Sequence, residues 1–175
     1  MAKFRKGRGK SSVSGANTAK RGGAAAEVMS GVGVDSSGPQ TDLRVMILEA
    51  EGLRNVAVLK KTDSYVAAKL LNITGTRESR TSVKKNTCDP KWNEPLSFQI
   101  PTGSLVDAQL SLTVIGKQKL RDDLPLGRVE IPLAGISSAR ERGDKSSGGW
   151  FELTEGQGRL KVDSELVTRR PSLII

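Results

Sequence analysis

The side chains able to do chemistry in this chain are almost all ammonium, guanidinium or carboxylate groups. There are 28 lysines and arginines, 19 aspartates and glutamates, one cysteine and no histidine. Without histidine the commonest general base is gone, and with it the usual partner of a serine or cysteine nucleophile and most zinc sites. No GxxxxGK[ST] phosphate loop occurs, and the run Gly31-Val32-Gly33 has no strand before it. Catalysis would have to rest on lysines or paired carboxylates, and nothing marks such a pair. The sequence therefore reads as a non-enzyme that calls for no cofactor. What remains is charge. A formal net charge of +9 and a pI near 9.9 point to an anionic partner: phospholipid headgroups, nucleic acid or an acidic protein surface.

Much of that charge stands at the front. Lys3, Arg5, Lys6, Arg8, Lys10, Lys20 and Arg21 all precede the first acid, Glu27, and the only other acid before residue 40 is Asp35. The same stretch is rich in Gly, Ser and Ala, has Phe4 as its one aromatic and holds no sustained period, so residues 1–41 read as a disordered basic arm. Such an arm serves as a solubilising tail or as an electrostatic tether, each base contributing about 1 kcal/mol near an anionic membrane. A mitochondrial presequence fits poorly, because the glycine spacing spoils an amphipathic helix. Nucleic acid is disfavoured, since Phe4 is the only aromatic the arm offers for stacking on single strands. The lone Cys88 admits no intramolecular disulfide, which suits a reducing compartment. No apolar run approaches the roughly 20 residues of a membrane span, and no signal-peptide core follows the basic start. The expectation is a soluble, cytoplasmic protein, held peripherally at a membrane or on the cytoskeleton.

From Asp42 onward the texture changes to short strands. Leu43–Leu48 reads as a strand covered on both faces or nearly so, and Tyr65–Leu71 sets Val66, Ala68 and Leu70 against Tyr65, Ala67 and Lys69. Asn72–Thr76 reads as the turn into a strand over Arg77–Lys85. Leu96/Phe98/Ile100 and Leu110/Leu112/Val114 alternate strictly with polar residues. Leu126–Leu133, Trp150–Leu153 and Arg159–Leu166 add three more. The pattern predicts an all-β, eight-stranded antiparallel sandwich over residues 42–167, with a tail at 168–175 and helix limited to about one turn near Ala134–Arg142.

The landmarks along these strands resemble the C2 domain family across roughly residues 42–166. They are Leu43-Arg44-Val45 leading to Glu49-Ala50-x-Gly52-Leu53, then Asp63-Ser64-Tyr65-Val66, then Thr81-x-Val83 with Asn86-Thr87. Asp89-Pro90-Lys91-Trp92-Asn93-Glu94, Leu96-Ser97-Phe98, Leu126-Gly127, Trp150-Phe151-x-Leu153 and Gly158-x-Leu160-x-Val162 follow in family order. The resemblance implies a Greek-key sandwich that docks on membranes or partner proteins. With Gly158–Leu166 supplying a final strand and nothing strand-like in 28–41, it looks like the second, circularly permuted topology. Trp92 and Trp150 are expected in the core or a corner, Asn93 and Glu94 holding a turn, and Cys88 as a small inert hydrophobe.

The resemblance also implies where calcium would bind: mostly five aspartates on two loops at one end. Asp63 matches one of them. The others fall on Ala57, Gly116, Gln118 and Leu124. Asp122 and Asp123 are shifted substitutes at best, beside Lys60, Lys61, Lys117, Lys119 and Arg121, so a tight calcium site is not expected. The loop tip becomes permanently cationic, favouring calcium-independent attraction to anionic phospholipid or an acidic protein surface, with Leu59 and Leu120 as candidate apolar tips. A second basic set, Lys69, Arg77, Arg80, Lys84 and Lys85, falls where many C2 domains contact phosphoinositides, and reads equally as an ordinary solvated strand face. A structural adaptor within a cytoskeletal or ciliary assembly is the alternative. In the tail, Arg169-Arg170-Pro171-Ser172-Leu173 resembles the substrate pattern of cyclic-nucleotide-dependent protein kinases, making Ser172 a candidate phosphosite. The closing Leu173-Ile174-Ile175 suits a groove or a PDZ-type site.

Overall fold

The computed structural model describes residues 39–170 apart from 102 and 145. Eight strands form two four-stranded sheets: β1 (Gln40–Glu51), β2 (Asp63–Leu71), β3 (Ser79–Arg80), β4 (Lys91–Ile100), β5 (Gln109–Lys117), β6 (Leu124–Pro132), β7 (Ser147–Glu152) and β8 (Arg159–Arg169). One sheet runs β4-β1-β8-β7, the other β3-β2-β5-β6, and every pairing is antiparallel. The final strand β8 lies between β1 and β7, the position the permuted topology gives to a C-terminal strand.

Alternation explains the layering. In β1 the side chains of Leu43, Val45 and Ile47 are fully buried, while Arg44 is exposed and Met46 and Leu48 half-buried. The outer face of this strand is thus more open than its apolar run suggests. Leu160, Val162 and Leu166 of β8 and Leu96, Phe98 and Ile100 of β4 complete one inner face, and Val66, Ala68, Leu110, Leu112 and Val114 supply the other. Each large aliphatic side chain buried this way contributes about 1.5–3 kcal/mol, so with few aromatics the aliphatic alternation carries the core.

Two local expectations are corrected. The segment Arg77–Lys85 is a strand only at Ser79–Arg80. At Thr81 the side-chain hydroxyl, rather than a carbonyl, accepts the Val66 N–H (2.9 Å). The Ser82 N–H donates to the Glu94 carboxylate (2.9 Å) and the Ser82 carbonyl accepts from Trp92 Nε1 (3.1 Å). With these backbone groups served by side chains, the ladder stops and resumes as a single bridge between Ser64 and Lys84. The helix is longer than one turn: α1 spans Leu133–Glu141, burying Leu133, Ile136 and Ala139 at three-residue spacing. Arg140 fastens it to β8 through the Leu166 carbonyl (2.9 Å) and the Thr168 hydroxyl (3.1 Å).

The strand directions create two poles. The loops 52–62, 81–90 and 118–123 gather at one, because Asp63 pairs with Lys117 across β2 and β5 and cross-loop hydrogen bonds join the remainder. The pairs Gln40–Arg169 and Thr41–Ile100 mark the other. At about 3.3 Å per residue, the 12-residue β1 separates them by roughly 36 Å.

Candidate functional site

The loop pole is built around a fully buried threonine. Thr62 accepts the Val56 N–H (2.9 Å) and turns its own proton toward Asn55 Oδ1 (3.1 Å), so the 52–62 loop folds onto its own base. Asn86, held at φ 54°, accepts the Lys61 N–H (2.9 Å), and the Thr87 N–H donates to the Thr62 carbonyl (3.0 Å). Asn tolerates this left-handed backbone better than most residues, which explains its place at the corner. Asp89 Oδ1 accepts the Gly52 N–H at 2.8 Å. The 52–62 and 81–90 loops therefore form one hydrogen-bonded platform.

Two of the three carboxylates that sequence patterning singled out, Asp63 and Asp123, are already engaged. Asp63 takes the ammonium of Lys60 on Oδ2 (2.5 Å) and the Asn86 N–H on Oδ1 (2.8 Å). The Lys60 hydrogen bond is the largest influence on the Asp63 pKa and, with the Asn86 amide and the charges of Lys60 and Lys85, outweighs desolvation to hold it below its ordinary value. Asp123 accepts from the Tyr65 hydroxyl (2.9 Å) and the Gln118 N–H (3.2 Å), pinning the 118–123 loop to β2. Burial, and then this bond to an anion, push the Tyr65 phenol upward. Asp122 is exposed.

Where the family pattern puts a further acid, at Gly116, there is little room. A Cβ there would lie 3.0 Å from Val56 Cγ2 and 3.2 Å from Leu126 Cδ2. Apolar packing fills that space. Among the described residues, no three His, Cys, Asp or Glu side chains come together in a metal-binding group.

The cations are free by contrast. Among the described residues, Lys61, Lys84, Lys85, Lys117, Lys119 and Arg121 make no ion pair, and all are exposed except the half-buried Lys84. Arg54 joins them, a residue the sequence reading passed over; its only signal was its place in the acid-free loop. The same loops expose Leu59 (98%) and Leu120 (97%), together with Val58 (96%), which alternation could not identify because the loop has no period.

The hairpin set is split. Lys84 and Lys85 belong to the loop pole. Lys69 lies exposed on the outer face of β2, and Arg77 lines a groove with Gly75, Ser97 and Phe98. Arg80 is taken up by Glu78 (2.7 Å) and by the face of Tyr65, 5.6 Å from its centroid. Trp92 is buried in the core, whereas Trp150 is half-buried beneath the Arg159 guanidinium (4.4 Å), itself paired with Glu51 (2.7 Å). Cys88 packs half-buried against the core. The seven arm bases and Ser172 lie outside the described residues. No helix among the described residues is long and apolar enough to cross a membrane.

The C2 domain family matches residues 41–153. This chain belongs to the C2 domain family. Its match stops before β8, the strand that the permuted order moves to the C-terminus. Human synaptotagmin-5 is 37% identical over 93 residues, covering 53% of this chain and 24% of the relative. The human phosphatidylinositol 4-phosphate 3-kinase C2 domain-containing subunit beta is 33% identical over 113 residues, 63% of this chain and 7% of the relative. The chain thus spans a quarter or less of the length of these curated relatives. Among solved structures, the C2A domain of plant extended synaptotagmin 1 superposes with a TM-score of 0.62 at 20% identity, covering 78% of this chain and 99% of that one, which shows the fold. Human GIVD cytosolic phospholipase A2 also matches (TM-score 0.62, 25% identity) over 73% of this chain and 16% of the enzyme. C2 domains are membrane- or protein-binding modules, found in non-enzymes and enzymes alike.

Proposed function

We propose that this chain is a non-enzymatic C2 module that docks without calcium on anionic phospholipid surfaces through its loop pole. The observation carrying this reading is the Lys60–Asp63 pair, in which a tethered ammonium occupies the carboxylate a calcium ion would need. Asp123 is committed to Tyr65 and Gln118, and Val56 and Leu126 crowd the Gly116 position, so the pole is built around its own positive charge. Each unpaired base near an anionic bilayer contributes about 1 kcal/mol, and each inserted Leu or Val about 1.5–3 kcal/mol at full burial. The charges supply reach and the apolar tips supply hold. The resulting location is peripheral to a membrane.

Co-sedimentation with vesicles tests this. Binding to phosphatidylserine-containing vesicles and not to phosphatidylcholine alone, equal in calcium and in chelator, and weakened by salt, is expected. Binding that requires calcium, or no binding to anionic vesicles at low salt, would refute it. The same cations suit an acidic protein face. A chain retained on a detergent-insoluble cytoskeletal or ciliary scaffold after lipid extraction would move the reading from lipid to protein.

A further inference from the structure

We propose that the free edge of β7 is a docking site for an extended basic peptide, which joins the β4-β1-β8-β7 sheet as a further strand. β7 stands at the end of that sheet. The Leu153 N–H donates to the Gly158 carbonyl (3.0 Å), one step beyond the register pair Glu152–Arg159. Bonding direction alternates along an antiparallel ladder, so Ser147, Gly149 and Phe151 bond to β8 while the N–H and carbonyl groups of Gly148, Trp150 and Glu152 point away from it. The same edge is sealed on either side of this stretch. Before it, Arg140 of α1 donates to the Leu166 carbonyl of β8 (2.9 Å); after it, Thr154 and Arg128 exchange two backbone hydrogen bonds of 2.9 Å. The window left between Gly148 and Glu152 is about 14 Å long. Other edges are blunted: β3 has two residues, β4 carries Pro95 at mid-strand, and Arg128 of β6 is taken by Thr154.

Charge selects the occupant. Among the described residues Asp163 and Glu152 form no ion pair, whereas Glu49, Glu51 and Glu165 nearby do. Arg159 and Lys161, the bases over Trp150, are the partners of Glu51 and Glu49, so the charge left unmatched along this edge is negative. Asp163 stands opposite Gly148, and its Oδ1 is buried with no hydrogen-bond partner. A Cβ on Gly148 would lie 2.7 Å from that oxygen, so glycine leaves the carboxylate uncovered on the side of the free edge. A hollow of about 320 Å³ over Gly148, Gly149 and Asp163 gives a long side chain room, with Leu48 in its lining for an aliphatic stem. A strand added antiparallel to β7 places the residues opposite Glu152, Trp150 and Gly148 on this same face, at its positions i, i+2 and i+4. A lysine or arginine at i meets Glu152. A second at i+4 crosses two strand spacings, about 10 Å, over Gly148 to Asp163. An apolar residue between them packs beside Trp150. Backbone hydrogen bonds hold such a strand, and the two bases set its register.

The test uses the full chain, isotope-labelled for NMR, and the end-capped peptide Thr-Lys-Thr-Ile-Thr-Lys-Thr. One control peptide has glutamate for both lysines; another has proline for isoleucine, which deletes the central N–H donor. Amide hydrogen exchange reads the backbone contact, and amide shifts during titration read affinity. The lysine peptide should slow exchange at Gly148, Trp150 and Glu152, while Gly149 and Phe151, already bonded to β8, change little. Neither control should do so. Glu152→Lys, at an exposed position, should keep the melting curve, weaken the lysine peptide by about fivefold, and bind instead the peptide whose first lysine is glutamate. Asp163→Asn should weaken the lysine peptide by a similar factor. No slowing by the lysine peptide, equal slowing by the proline control, or unchanged affinity in both variants would overturn the proposal. Slowing of the same three amides as protein concentration alone is raised would also overturn it, giving the edge to a second copy of the chain.

Discussion

A carboxylate facing a fixed ammonium titrates differently from one facing water, and Asp63 faces Lys60 at 2.5 Å. Its lowered pKa has a defined consequence. The stability it contributes is fully present above the ordinary carboxylate pKa and is lost only as pH falls through the lowered folded value. Lys60→Met should raise the Asp63 pKa and bring that loss to a higher pH; a carbon-detected NMR titration of the carboxyl reads it directly. An unchanged titration would remove Lys60 as the cause. Gly116 makes the complementary point. Restoring the family's acid as Gly116→Asp pushes a carboxylate against Val56 and Leu126, so a cost of about 2–4 kcal/mol is expected in urea unfolding. No calcium affinity should appear in calorimetric titration.

At the level of elements, the β3–β4 corner is held by side chains where a longer ladder was expected. Glu94 serves both the N–H and the hydroxyl of Ser82, and Trp92 takes its carbonyl. Glu94→Gln weakens a charge-assisted pair to a neutral one and should cost about 1 kcal/mol, with faster amide exchange at Ser82 as the local sign. This corner also shows what sequence conveys. Period-two alternation at Leu96/Phe98/Ile100 and Leu110/Leu112/Val114 identifies strands because burial has to repeat every second residue. At Thr81 and Ser82 the alternation persists in burial while the strand ends, since pairing was decided by Thr81 and Glu94 oxygens contributed from across the chain. The helix was underestimated for a related reason. Its Leu133/Ile136/Ala139 stripe is short and small, and the Arg140 anchor to β8 is a contact 26 residues distant. At the pole, the missing acids could be read from spacing at Ala57, Gly116, Gln118 and Leu124. That Asp63 and Asp123 would be occupied by Lys60 and Tyr65 could not, because those pairings depend on loop shape.

For the whole molecule, the decisive property is how charge is distributed over a rigid sandwich. Acids on the strands are largely matched, as in Arg44–Glu165, Arg159–Glu51 and Glu49 between Lys91 and Lys161, whereas among the described residues the loop bases other than Lys60 are not. Changing Lys61, Lys84, Lys85 and Lys119 together to glutamine should weaken binding to anionic vesicles by up to roughly a thousandfold, taking about 1 kcal/mol per base. Replacing Leu59 and Leu120 with serine should weaken it with little change in salt dependence, since salt screens charge and not apolar insertion. The same architecture separates two chromophores. Trp92 is sealed in the core, and Trp150 lies half-open under the Arg159 guanidinium beside the loop pole. Trp92 emission should be blue-shifted and resistant to iodide until the sandwich unfolds. Trp150 should be quenchable in the native state and sensitive to any movement of the Arg159–Glu51 pair. The chain therefore carries its own two-channel fluorescence gauge, one indole registering integrity of the fold and the other events at its charged end.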